Sequence, residues 1–192
     1  METTGASISA LLARNHALAH RRVLQVVDDL TPEQFERSVH PALHSIGWQV
    51  WHIARWEDRF GEILVERLPN LAGPTGQSNQ IWADESIGER WGLPVGKMGV
   101  RDTGTSMPDD AAEDVQLPAK AQVVDYARRV FARVDELVRS LPDDVLLAVL
   151  PGDPDRDTTG DNVIIYMEHV ARHLGTIEAM KGQLGMRGSV TR

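Results

Sequence analysis

Two histidines spaced four residues apart near the C-terminus, His169 and His173, are the residues of this sequence best suited to bind a metal ion. The segment around them, from Asn162 to Gly182, has apolar residues at helical spacing, so both imidazoles fall on one flank of a helix. Residues at i and i+4 are neighbours on a helix surface, and metalloproteases bind zinc with such a pair. Val170 stands where a metalloprotease has its glutamate, so the sequence does not predict a protease.

The spacing of this pair does not by itself establish a metal site. Two histidines at the edge of an apolar stripe, hydrogen-bonded to backbone or water, are the commoner explanation of such a pair. A second pair with the same spacing, His16 and His20, is the rival metal site. Because His20 projects away from the apolar stripe of its helix and is followed by Arg21 and Arg22, we interpret the second pair as solvated surface.

The composition limits the chemistry that the chain can perform. Its 192 residues are 42% hydrophobic and 25% charged, which is typical of a globular protein and predicts a single domain over residues 1–192. Cysteine is absent, so any metal must be held by His, Asp or Glu, and any thiol must come from a ligand. The formal net charge of −8 disfavours nucleic acid as a partner.

The sequence also argues against a membrane location. No stretch approaches the ~20 consecutive apolar residues that a membrane-spanning helix needs. The segment Met1–Ala6 is acidic and lacks the apolar run of a secretory signal. These features predict a cytoplasmic protein with a small-molecule substrate.

Four long amphipathic helices are predicted from apolar residues that recur three and four positions apart. With no convincing strand, they indicate an all-α four-helix bundle. Thr158 and Asp161 resemble a capping box at the start of the fourth helix. The predicted helices span, in order, Ser7–Leu30, His44–Leu68, Pro118–Ser140 and approximately Thr158–Gly182.

Several polar residues are predicted to lie in unusual places on the first two helices. In the second helix, Arg55 and Asp58 belong to the predicted solvent-facing side, whereas His52 lies at the edge of the apolar arc. Glu57 points into that arc, and a buried carboxylate needs a partner or its pKa rises. Glu57 is therefore interpreted either as the partner of an arginine or as a pocket residue. Asn15, on the inward face of the first helix, is a second pocket candidate.

The connection from Pro69 to Leu117 is rich in Gly, Pro, Ser and Asp. Connections of this length in a compact domain are commonly lids or binding loops. Trp82 and Trp91 lie around a predicted short helix, Ile81–Arg90, and we expect them to line a pocket. The connection is long enough to cross the bundle, which would let the second and third helices run parallel.

Two motifs taken together resemble those of the DinB-like superfamily. The segment Gly47–Phe60 has an apolar run, then His52-Ile53-Ala54 and then Glu57, as in the family's second-helix signature. The segment His169–Gly182 is similar to the family's final helix, with its His-x-x-x-His-x-Gly pattern and late glycine. Gln80–Pro94 resembles the long connection of actinobacterial-type members.

The resemblance implies an up-down-down-up bundle and a divalent metal, zinc or nickel, on His52, His169 and His173. Characterised branches of the family include a maleylpyruvate isomerase and S-transferases that use mycothiol, bacillithiol or glutathione. The resemblance thus implies a metal-dependent transferase that activates a low-molecular-weight thiol for attack on a small electrophile, and a homodimer. Two alternatives remain open: a metal-dependent hydrolase with Glu57 as general base, and a non-catalytic bundle stabilised by the metal.

Overall fold

The computed structural model describes residues 7–40, 43–68, 70, 80–108, 111–112 and 114–189. The segment 1–6 and part of the long connection fall outside this range. The described residues form helices and turns, with one isolated bridge between Val149 and Thr158 and no strand. The all-α prediction is confirmed. The α-helices are α1 Ile8–Asp28, α2 Pro32–Glu36, α3 Ile46–Arg67, α4 Ile81–Asp84, α5 Ile87–Arg90, α6 Lys120–Ser140, α7 Asp143–Leu147 and α8 Thr159–Gln183.

Contacts of α1 fix the directions of α6 and α8. Lys120, at the start of α6, donates to the Leu30 carbonyl just past the end of α1 (2.6 Å), while Asp143, just after α6, accepts from the backbone N–H of Ser9 (2.8 Å). Helices α1 and α6 are therefore antiparallel. Lys181, near the end of α8, donates to the Val26 carbonyl near the end of α1 (2.8 Å), so these two helices run in the same direction.

Contacts of α3 complete the topology. Gln49, near the start of α3, bonds to His173 near the end of α8, whereas Phe60 stacks on Tyr166 in the earlier part of α8. Helix α3 is thus antiparallel to α8 and to α1, and it runs parallel to α6. This is the up-down-down-up order that the family resemblance implies, and the described part of the connection between α3 and α6 lies against α3.

The apolar stripes of the four long helices meet in one core. The predicted capping box at the start of α8 is present, since the Thr158 hydroxyl accepts from the Asp161 N–H and the Asp161 carboxylate accepts from the Thr158 N–H. None of the described helices is both long and apolar enough to cross a membrane. Core residues contributed by all four helices include Val23, Val26, Ile53, Phe60, Val130, Val134, Val170 and Ile177.

The long connection covers one side of α3 that the sequence assigns to solvent. Arg55 and Asp58 are 1% and 0% exposed, so the prediction for these two residues is wrong. Arg55 donates to the carbonyl of Asp102 (3.0 Å), and Asp58 accepts from the N–H groups of Ile81 and Trp82 (3.0 and 2.8 Å). The polar side of α3 can be buried because its side chains form hydrogen bonds with backbone groups of the connection.

Gly104 marks the closest approach of the connection to α3. Its φ is +86°, and a Cβ there would lie 2.5 Å from the Trp48 ring and 3.0 Å from the Trp51 ring. We expect Gly104→Ala to lower the free energy of unfolding by about 2–4 kcal/mol, from backbone strain and overpacking together. Gly92→Ala is the matched control, since its φ is +70° and its Cβ would contact nothing within 4 Å. Equal losses in urea unfolding of the two variants would contradict this packing.

Candidate metal centre

Three histidines from two helices converge at the side of the bundle. His52 comes from α3, and His169 and His173 come from α8. Each offers one ring nitrogen, and these nitrogens lie within 4.8 Å of one another; Nε2 of His52 and Nε2 of His169 are 3.2 Å apart. His52 is buried and the two α8 histidines are half-buried, so the cluster faces solvent on the α8 side.

Two of the three imidazoles are oriented by a hydrogen bond on the far side of the ring. Nδ1–H of His52 donates to the carbonyl of Thr103 (2.5 Å), and Nδ1–H of His173 donates to Oε1 of Gln49 (2.6 Å). Such bonds select the tautomer that leaves the Nε2 lone pair free. His169 has no carbonyl or carboxylate on either ring nitrogen: its Nε2 faces His52, and its buried Nδ1 has no hydrogen-bond partner among the described residues.

The electrostatics keep all three rings neutral. Burial, followed by the charge that His173 would carry, lowers the pKa of His52 to about 3. Burial, followed by His169 and Arg172, lowers the pKa of His173 to about 4, and burial also lowers the pKa of His169. At neutral pH each of the three imidazoles is therefore uncharged and keeps one nitrogen lone pair.

This donor set fits a zinc-like divalent ion. Without a cation, the 3.2 Å separation of the two Nε2 atoms is that of a hydrogen bond between two neutral imidazoles, and with a cation both Nε2 lone pairs can serve as ligands. Zinc bonded to imidazole at 2.0–2.1 Å in tetrahedral geometry separates its ligand atoms by about 3.3 Å, which is close to the observed spacing. Neutral imidazole suits zinc and nickel alike.

The Gln49 side chain gives a direct test of ring orientation. Gln49→Leu removes the acceptor of the His173 N–H, so we expect the affinity for zinc to fall about 10–100-fold with the helix content unchanged. The measurement is a zinc titration against a chromophoric chelator, with Gln122→Leu on the exposed side of α6 as the control. An unchanged affinity in Gln49→Leu would show that the hydrogen bond does not orient a metal ligand.

The contacts of three predicted pocket residues are with groups other than the three histidines. Trp82 and Trp91 contact each other (5.9 Å between ring centroids) and both contact Tyr126 of α6. The guanidinium of Arg55 lies 4.4 Å from the Trp82 ring. These tryptophans thus anchor the connection between α3 and α6. Asn15 donates to a carbonyl of its own helix (2.8 Å).

The part of the connection that reaches the metal centre is the turn at Thr103 to Thr105. Besides the Thr103 carbonyl on His52, the Thr105 hydroxyl accepts from Nε1–H of Trp56 (2.9 Å), whose ring lies 6.1 Å from that of His169. The sequence carries no signal for this, because a backbone carbonyl can act at any residue type.

A cavity of about 300 Å³ lies beside the centre. Its lining includes Trp48, whose ring is stacked on His52 (4.8 Å between centroids) and on His44 (4.0 Å). None of the three converging histidines lines the cavity. Because Trp48 lines the cavity and also stacks on His52, it connects the histidine cluster with a space of ligand size.

The second histidine pair is not on the surface. His16 and His20 are 0% and 1% exposed, so their interpretation as solvated surface is wrong. Helix α1 packs against both α6 and α8, and its buried arc is therefore wider than its apolar stripe. Glu57 of α3 lies between the two rings, 3.3 Å from Nε2 of His16, and Asp135 of α6 completes the cluster. Sequence reasoning missed Asp135, whose position four residues after Phe131 on the stripe of α6 was the available signal.

Comparisons with known proteins agree with the fold and the motifs. A family model described as DinB superfamily matches residues 16–177. A crystal structure of a conserved protein from Enterococcus faecalis is similar with a TM-score of 0.71 and 16% sequence identity, over 94% of this chain and 99% of that chain. At that identity the similarity concerns the fold. No curated protein sequence matches the chain significantly.

Proposed function

The chain belongs to the DinB superfamily, and on that basis we propose that it is a metal-dependent thiol S-transferase. In this proposal His52, His169 and His173 hold zinc or nickel, and a low-molecular-weight thiol such as mycothiol attacks a small electrophile. The observation that carries the proposal is the convergence of three neutral imidazoles at a place open to solvent.

The donor set suits a reactive centre better than a structural one. Structural zinc usually has four protein ligands, whereas catalytic zinc has three and keeps one position for a ligand from solution. A cation held there would lower the pKa of an incoming thiol, so that the thiolate is available at neutral pH. The chain has no cysteine that would compete for that position.

Residues around the centre have supporting roles in the proposal. Gln49 and the Thr103 carbonyl hold two imidazoles in position, and Trp56 with Thr105 shields one side of the cluster from water. The cavity beside Trp48 has a volume at the low end of the range for small-molecule sites, and we assign it to the part of the substrate remote from the reaction.

The placement of Glu57 supports a transferase over a hydrolase. A hydrolase needs a general base within hydrogen-bonding reach of the attacking water, directly or through one water. Glu57 is fully buried and faces His16 and His20. Burial opposes its ionisation, but the charges of His20 and His16 outweigh burial and lower its pKa, so it is also a weak base.

The test is thiol binding to the cobalt-substituted protein. Mycothiol, bacillithiol and glutathione are added in turn, and we expect at least one to produce a thiolate-to-cobalt charge-transfer band in the near ultraviolet. That thiol is then incubated with generic electrophiles, and the S-conjugate is detected by mass spectrometry. The alcohol analogue of the same thiol is the control. Absence of the band with all three thiols would contradict the proposal.

Chelation separates a catalytic ion from a structural one. The apolar core lies among four helices and does not depend on the three histidines, so removing the ion should leave the helical circular dichroism signal unchanged. The melting temperature should still fall, because an ion that binds only the native state stabilises it. Loss of the helical signal on chelation at room temperature would identify a structural ion.

A further inference from the structure

Four ionisable side chains from three helices form a second cluster inside the bundle: His16 and His20 of α1, Glu57 of α3 and Asp135 of α6. Nδ1 of each histidine lies 2.8 Å from the same oxygen, Oδ1 of Asp135. The two Nε2 atoms lie 3.3 and 3.4 Å from Oε2 of Glu57. The histidines and Glu57 are completely enclosed, while the Asp135 side chain is 16% exposed.

The hydrogen bonds to Asp135 determine where the lone pairs are. A carboxylate only accepts, so each Nδ1 carries the proton and each neutral imidazole keeps its lone pair on Nε2. Both lone pairs then face the Glu57 carboxylate. Neither Nε2 nor either carboxylate oxygen of Glu57 has a hydrogen-bond partner among the described residues. Buried polar atoms without partners are rare in native proteins and call for an explanation such as an ion.

We propose that His16, His20 and Glu57 bind a second divalent cation, and that Asp135 orients both imidazoles. The distances from Oε2 of Glu57 to Nε2 of His16 and of His20, 3.3 and 3.4 Å, match the about 3.3 Å between neighbouring ligand atoms of tetrahedral zinc. The cation would be held by these three residues and enclosed by the helices, unlike the metal centre on α3 and α8, which is open to solvent. A carboxylate that accepts the far N–H of a metal-bound histidine is the usual companion of such sites.

The opposite side of the rings is less suitable for the cation. His16, His20 and Asp135 each offer a ligand atom within 4.8 Å of the other two, and this set is the alternative site for the ion. Their 2.8 Å separations, however, are hydrogen-bond lengths and are short for two ligands of one ion. The Glu57 side has the wider spacing and the atoms without partners.

The surroundings of the cluster favour positive charge. Burial lowers the pKa of His16, but the carboxylates of Glu57 and Asp135 raise it more, to about 9. The competing explanation is an additional proton shared by His16 and Glu57, without a metal ion. A proton and a divalent cation are distinguished by experiment, because only the cation changes the metal content.

The experiment uses the full chain with His52, His169 and His173 all replaced by alanine, so that the metal centre on α3 and α8 is removed. The protein is refolded with zinc, since the second cluster is enclosed, and is then dialysed. Atomic absorption should find one zinc per chain. Excess zinc should raise the melting temperature by about 5–10 °C at a hundredfold excess over Kd. His40→Ala, at an exposed histidine, is the control and should retain the zinc.

Two further substitutions, each made in the protein that already lacks His52, His169 and His173, identify the ligands. Glu57→Gln should weaken zinc binding at least ~100-fold, more than the 10–100-fold expected for Asp135→Asn, which removes only an orienting partner. Circular dichroism establishes that each variant is folded. If the order is reversed, so that Asp135→Asn abolishes binding and Glu57→Gln does not, the proposed side of the rings is wrong.

Nitrogen NMR of the histidines tests the site without altering the cluster. In the background protein with His16 and His20 intact, zinc should shift the ¹⁵N resonances of both Nε2 atoms and leave both Nδ1 atoms protonated. Absence of zinc uptake in that folded protein, or imidazole resonances that do not respond to zinc, would overturn the proposal and leave a proton as the occupant. Neither outcome affects the thiol band of the wild-type protein, so the two proposals fail independently.

Discussion

Replacing any one of His52, His169 or His173 by alanine is expected to abolish the thiol-dependent charge-transfer band of the cobalt protein and the transfer activity. Each substitution leaves only two imidazoles, and both of these lose a neighbour that lies within ring-contact distance. The affinity should fall by more than the 10–100-fold that loss of an orienting group causes. The helix content should not change, because His169 and His173 are half-buried at the edge of the bundle.

The band is the appropriate readout because it reports one site. Total metal content would also include any cation at the enclosed His16 and His20, whereas a thiol can reach only an ion that is open to solvent. His40→Ala serves as the control, since it removes an exposed histidine that belongs to neither motif. A full-strength band in any one of the three variants would exclude that residue as a ligand.

The parts of the fold that the sequence predicts are those set by local pattern. The apolar spacing of Val163, Val170 and Ile177 defines α8, and the Thr158 to Asp161 capping box sets its start, because both depend on neighbours along one helix. The assignment of His52, His169 and His173 to one cluster came from a family motif spread over two helices. The structure places their ring nitrogens within 4.8 Å of one another.

The parts that the sequence does not predict depend on distant neighbours. Arg55 and Asp58 look solvent-facing on a helical wheel, yet the long connection covers them. His16 and His20 look like surface because a wheel does not show how many helices surround α1. In both cases polar residues lie inside the bundle because other elements supply hydrogen-bonding or charged partners, and such partners cannot be read from one helix at a time.

The buried carboxylate of Asp58 is expected to have the largest effect on stability. It accepts from the N–H groups of Ile81 and Trp82 and from the Tyr126 hydroxyl (3.0 Å), and it lies 3.5 Å from the guanidinium of Arg55. Burial raises the pKa of Asp58, although these groups oppose the rise, so its surroundings as a whole disfavour the ionised carboxylate. The effect of removing it comes from the groups it leaves behind: a buried guanidinium and three donors without an acceptor.

We therefore expect Asp58→Ala to lower the free energy of unfolding by about 3–5 kcal/mol, as when one partner of a buried ion pair is removed. In a chain of this size that corresponds to a fall in melting temperature of about 6–20 °C. Asp58→Asn keeps one acceptor oxygen and should lose less. Asp125→Ala breaks an exposed pair with Arg129 and should cost about 0.5 kcal/mol or less, which makes it the matched control.

Loss of Asp58 should also weaken the metal centre, although the residue is not a ligand. Asp58 holds the start of the described connection at Ile81 and Trp82, and the same connection supplies the Thr103 carbonyl that orients His52. Freeing the connection removes that carbonyl from His52, so zinc affinity should fall about 10–100-fold at a temperature where the variant is still folded. If Asp58→Ala and the Asp125→Ala control have the same melting temperature, this carboxylate does not hold the connection. If Asp58→Ala has the lower melting temperature but binds zinc with wild-type affinity, the connection does not position His52.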